Sequence, residues 1–84
     1  MPLPTVENGR TALRFEAVTP SNSTPFPGGR CSALFIGVGG DVTILNSDGT
    51  AVTFKNLANG SYLDCKTTRV NATGTTATDI VALY

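Results

Sequence analysis

Histidine and tryptophan are absent from this chain of 84 residues, methionine occurs once, and cysteine occurs only at Cys31 and Cys65. Without histidine the chain lacks the usual general base at neutral pH and the commonest metal ligand. The two cysteines stand far apart with no C-x-x-C spacing, so no zinc ligand set is formed and no cofactor is expected. Charge is scarce too. Six basic and six acidic residues cancel, so neither a phosphate backbone nor an anionic membrane surface meets an electrostatic footprint. Nucleic acid and membrane are therefore not expected as partners. No apolar run approaches the roughly 20 residues of a membrane span, and Met1-Pro2-Leu3-Pro4 lacks the charged start and apolar middle of a signal peptide. The expectation is a soluble chain made in the cytoplasm.

The same absences bear on catalysis. No serine or cysteine stands beside a base that could activate it, and Asp41, Asp48, Asp64 and Asp79 occur singly, at strand starts, in a turn or at an exposed strand position. No enzyme is expected. The stretch Gly37-Val38-Gly39-Gly40-Asp41 leads into the apolar alternation of Val42-Thr43-Ile44, whereas a phosphate-binding loop leads into a helix, so it reads as a tight β connection or bulge. Asn46-Ser47-Asp48-Gly49 lacks the later glutamate of a calcium loop and is explained by a hairpin. The N-x-[ST] matches at Asn22, Asn59 and Asn71 are what a chain rich in Ser and Thr produces by chance.

What the chain does have is Gly, Thr, Ser and Asn around short apolar runs, a composition that favours strands and turns over helices. All five prolines fall in residues 1–30, which read as an extended N-terminal arm, with residues 31–84 as the β domain. Within the arm, residues 12–18 alternate. Leu13, Phe15 and Ala17 lie on one side and Arg14 and Glu16 on the other, as one edge strand suited to gripping a neighbour. Strand signals follow at 31–38, 41–46, 50–55, 61–70 and 79–84. Asp48-Gly49 between alternating runs predicts a hairpin in which Val42, Ile44, Val52 and Phe54 share the buried face. The fold class expected is all-β, a small antiparallel sandwich or a partly closed barrel. Ile80, Val81, Leu83 and Tyr84 mark a last strand held in a sheet.

An 84-residue chain hides only roughly 60 to 65% of its unfolded surface, so it needs added support. A Cys31–Cys65 disulfide is open in principle, but both residues sit in apolar or alternating runs where free cysteine behaves as a small buried hydrophobe. Oligomerisation is the favoured source. The residues expected at the subunit interface are Leu13, Phe15, Ala17, Val18, Leu83 and Tyr84. Tyr62 and the exposed threonines offer an alternative, a carbohydrate-binding face for host recognition.

From Ala17 to Tyr84 the chain resembles the small head-spike base proteins of tailed phages, prophages and gene transfer agents. The resemblance is carried by Ala17-Val18-Thr19-Pro20-Ser21, by the run from Leu34 to Val42 (LFIGVGGDV), by the run from Asp48 to Leu57 (DGTAVTFKNL), by the run from Arg69 to Thr78 (RVNATGTTAT) and by Ile80-Val81-Ala82-Leu83-Tyr84. It departs at Ala58-Asn59-Gly60 and at Cys65-Lys66-Thr67. The resemblance implies a virion structural protein on the capsid exterior, synthesised in the host cytoplasm. It would form a symmetric ring between the major capsid protein and a spike fibre protein. A pentamer suits a capsid vertex. A trimer would suit a capsid decoration protein at a three-fold lattice point. In a ring each subunit offers two different faces, and the arm strand at 12–18 is expected to supply one by adding to a neighbour's sheet or to the capsid.

Overall fold

The computed structural model describes residues 12–84. Pro2 and Pro4, and with them the first part of the expected arm, lie outside the described residues. The described chain forms β1 (Phe15–Ala17), β2 (Ala33–Val38), β3 (Gly40–Leu45), β4 (Ala51–Leu57), β5 (Ser61–Leu63), β6 (Val70–Asn71) and β7 (Thr78–Leu83). They make two antiparallel sheets, one of order β1-β7-β2-β5 and one of order β4-β3-β6. No helix occurs among the described residues. Of the two architectures expected, the sandwich is the one formed.

Between the sheets lies a small core. Leu34, Ile36, Leu63, Ile80 and Ala82 come from the first sheet, and Val42, Ile44 and Val70 from the second. Phe26, Cys31 and Ala77 enter from connecting segments. Phe26 matters for the proline-rich region. Its ring is buried while Val18, Ser21 and Phe26 donate backbone hydrogen bonds to Ile80, Val70 and Thr68, so residues 18–26 cross from one sheet to the other along the side of the sandwich.

The hairpin forms as expected, with Val42 opposite Phe54 and Ile44 opposite Val52. Its turn closes through the Gly49 N–H to the Asn46 carbonyl, and Gly49 takes φ +92°, a left-handed conformation that glycine adopts without strain. The Asp48 carboxylate accepts the Thr50 N–H at 2.9 Å, and that bond holds its carboxyl below the ordinary range. Val52 departs from the expected pattern. It is 42% exposed, on the outer strand of its sheet.

The long strand expected over 61–70 is not formed. Instead β5 pairs with β2 in one sheet, residues 64–69 cross over, and β6 pairs with β3 in the other. Two short strands of the same alternation serve two layers, because each layer needs an apolar residue from this segment, Leu63 in one and Val70 in the other. The glycine-rich stretch is a crossing of the same kind. Gly39 joins β2 to β3 at the change of sheet, where a Cβ would overlap the Leu57 carbonyl, and the ladder shifts register between Gly40 and Val42. This agrees with its reading as a β connection and bulge.

Hydroxyl groups complete what β6 leaves unfinished. β6 faces only Thr43 and Ile44 of β3. Beyond one end the Thr75 and Thr76 hydroxyls accept the N–H groups of Thr43 and Asp41, and beyond the other the Thr67 hydroxyl accepts the N–H of Leu45. The threonine-rich crossover is thus a substitute strand, which satisfies backbone donors that would otherwise be orphaned. The three N-x-[ST] asparagines are likewise engaged: Asn22 with Thr73, Asn59 with the Gly39 N–H, and Asn71 with the Arg69 guanidinium.

Candidate assembly surface

Several polar side chains among the described residues serve the fold itself. Asp41 accepts the Asn56 N–H through its carboxylate, and Asp48 holds the hairpin turn. Among the described residues no three His, Cys, Asp or Glu side chains gather at a distance suited to a metal ion. Cys31 and Cys65 are free thiols, as the sequence favours. The Cys31 thiol points at the Cys65 carbonyl from 4.0 Å, and burial pushes its pKa up, so it is a protected core group and a poor nucleophile.

The surface that stands out is the outer face of the four-stranded sheet. Cross-strand partners point to the same side, so the pairing registers define rows across the sheet. Glu16, Ala82, Leu34 and Leu63 form one row, and all but Glu16 of these enter the core. The rows on either side of it face outward. One contains Phe15, Leu83 and Ala33, and the other Ala17, Val81, Phe35 and Tyr62. Every residue of these two outward rows is apolar or aromatic. Phe15 is 67% and Tyr62 58% exposed, and Phe35 meets Tyr62 edge to face with ring centroids 5.3 Å apart.

A sheet with one wet face normally alternates apolar and polar residues, and apolar residues on both faces are the mark of a sheet covered on both sides. The opposite sheet differs, with polar side chains on its outer side and the buried Thr43 covered there by the Thr75 crossover. There Thr43 and Thr53 join hydroxyls at 2.7 Å on the side away from Val42 and Ile44. Among the described residues, the outer side of the first sheet is therefore apolar along these two rows, and the outer side of the second carries threonine hydroxyls.

The structure brings Phe15, Ala17 and Leu83 together on this apolar face. Leu13, 90% exposed, precedes them. Val18 and Tyr84 lie elsewhere, packed against the core from its edge. The Arg14 guanidinium sits 4.5 Å above the Tyr84 ring. The Tyr84 hydroxyl is shielded from solvent on the side of the Glu16 carboxylate, and burial first, then that carboxylate, pushes its pKa up. β1 itself pairs with β7 of its own chain, so only one of its edges is open to a neighbour.

Ala33, Phe35, Tyr62 and Val81 were not among the interface residues expected from sequence. The signal was present: Ala33 to Ile36 and Ile80 to Leu83 are apolar at every position, which is the pattern of a strand buried on two sides.

No protein-family model and no curated protein matches this chain. Among solved structures, a chain in the capsid of a native gene transfer agent (GTA) particle, computed with C5 symmetry, is similar to it. The two share 38% identity with a TM-score of 0.78, over 88% of this chain and 84% of that one.

Proposed function

Because the chain belongs to the same family as that gene transfer agent capsid protein, we propose that it is a structural component of a virion or virion-like particle, without catalytic activity. In the finer reading it is a head-spike base. A ring of copies on the capsid exterior holds a spike fibre protein above and the major capsid protein below, with a pentamer suiting a five-fold vertex. The neighbour belongs to a particle computed with C5 symmetry, and such a computation is compatible with that arrangement.

The observation that carries the reading is the apolar outer face of the first sheet. Phe15, Ala17, Phe35, Val81 and Leu83 line it in two rows, and burying such a face contributes about 25 cal/mol for each Å² removed from water. A domain of this size gains through assembly what its small core cannot supply. The arm strand adds Phe15 and Ala17 to the same surface.

Two substitutions on that face test the role. Phe35→Ser with Val81→Ser is expected to leave a folded domain, since neither side chain enters the core, and to abolish recovery of the chain in purified particles. Undiminished incorporation refutes the assembly face. Particle imaging with a labelled chain separates the finer readings: signal at five-fold vertices supports the spike base, and signal at three-fold lattice points replaces it with a decoration protein.

A further inference from the structure

The open edge of β1 carries a pattern of its own. Tyr84 donates its backbone N–H to the Arg14 carbonyl and Val18 donates to Ile80, so the even-numbered residues of β1 turn their backbone groups toward β7. Phe15 and Ala17 turn theirs the other way. Among the described residues nothing bonds to them there. Natural edge strands are usually blunted by lysine, proline or a bulge, because a bare edge is a template for another strand. Residues 13–18 contain no proline and no bulge, their two charges, Arg14 and Glu16, are of opposite sign and so able to pair across a strand contact, and Leu13 and Phe15 are exposed.

We infer that this edge pairs with β1 of a second copy, antiparallel and centred on Phe15, joining two four-stranded sheets across a two-fold axis. The register follows from charge. Only odd-numbered residues can form the hydrogen-bonded pairs, which leaves a short set of alignments. Centring on Phe15 sets Arg14 opposite Glu16 of the second copy, twice, with Leu13 opposite Ala17 on the apolar side. Sliding to the next allowed alignment in either direction places Arg14 opposite Arg14, or Glu16 opposite Glu16, which is repulsive. The segment Leu13-Arg14-Phe15-Glu16-Ala17 is complementary to itself in one register only.

This contact goes beyond the capsid role. It is isologous, whereas a ring on a vertex needs head-to-tail contacts, so it describes the chain free in solution, where it shields the bare edge. Its failure would leave the particle-incorporation result untouched.

Sedimentation equilibrium of the full chain tests it. The wild type is expected to be a dimer, weakened by about tenfold or more in Arg14→Glu and in Glu16→Arg, each of which puts like charges opposite. The double variant carrying Arg14→Glu with Glu16→Arg restores the dimer, and an equimolar mixture of the two single variants forms heterodimers. Heterodimers in the mixture also show that each single variant is folded. A wild-type monomer, a ring as the sole species, single variants as tightly paired as the wild type, or a mixture that stays monomeric would each overturn the inference.

Discussion

The Thr67 hydroxyl accepts the Leu45 N–H at 3.2 Å and donates to the Leu45 carbonyl at 3.0 Å, which makes one side chain act as the strand neighbour that β3 lacks at its end. The Arg69 carbonyl lies within 3.2 Å of the same oxygen. Thr67 is buried, so water cannot replace these bonds.

Thr67→Val is therefore expected to lower stability by about 1–3 kcal/mol, because it strands a buried donor and acceptor while preserving shape. Thr67→Ser, which keeps the hydroxyl, should lose less. Urea unfolding of the two variants side by side checks the order. Equal stability of the valine variant and the wild type would remove the hydroxyl from the account of β3.

The proline-rich segment is tied into the sandwich by one ring. Phe26→Ala leaves a cavity among Cys31, Val70 and their neighbours, with an expected loss of about 3 kcal/mol. If residues 18–30 were a loose arm, the same change would shift the melting temperature by less than a degree or two, and calorimetry distinguishes the cases.

Gly39 is expected to tolerate no side chain. Gly39→Ala drives a methyl group into the Leu57 carbonyl at the change of sheet, which costs about 2–3 kcal/mol or forces the crossing to open. The measurement is thermal unfolding, with Gly29→Ala as the contrast, since a Cβ at Gly29 meets nothing within 4 Å and only its positive φ opposes the change.

Alkaline pH should weaken the fold. The Cys31 thiol and the Tyr84 phenol are both raised in the folded chain, chiefly by burial, so the unfolded chain loses those protons first. The stability that the neutral groups contribute is whole at neutral pH and is lost progressively as pH rises past about 9 for the thiol and about 10 for the phenol. Melting temperatures between pH 7 and 11 should fall less steeply in a Cys31→Ala, Tyr84→Phe double variant. Parallel curves would show that other groups govern the decline.

Removing Leu83 and Tyr84 should lower the melting temperature clearly. Leu83 pairs with both Phe15 and Ala33, and Tyr84 donates its N–H to Arg14, so the deletion releases β1 together with the end of β7. An unchanged melt would mean that this end of the sheet contributes nothing.

Much of this architecture was legible in the residues. Alternation placed Val42 and Ile44 on the buried face, Asp48-Gly49 marked the hairpin, and the apolar run that follows Cys31 favoured a free buried thiol over a disulfide. These are local matters, settled by turn chemistry and a period of two. The run 61–70 was misread for a reason of the same kind. Its alternation is continuous, yet alternation is blind to which sheet a strand joins.

The sequence by itself determined the class of the protein: a small, neutral, all-β chain, with strand positions set by short-range chemistry. Only the tertiary structure decided which residues share a surface. Phe15, Phe35, Tyr62 and Val81 come from four separate strands, and the pairing registers alone bring them to one outer face. Registers are set by cross-strand packing between residues distant in the chain, which no local pattern encodes. The same holds for the threonines, whose hydroxyls read as surface polarity until β3 is seen to lack a neighbour at both ends.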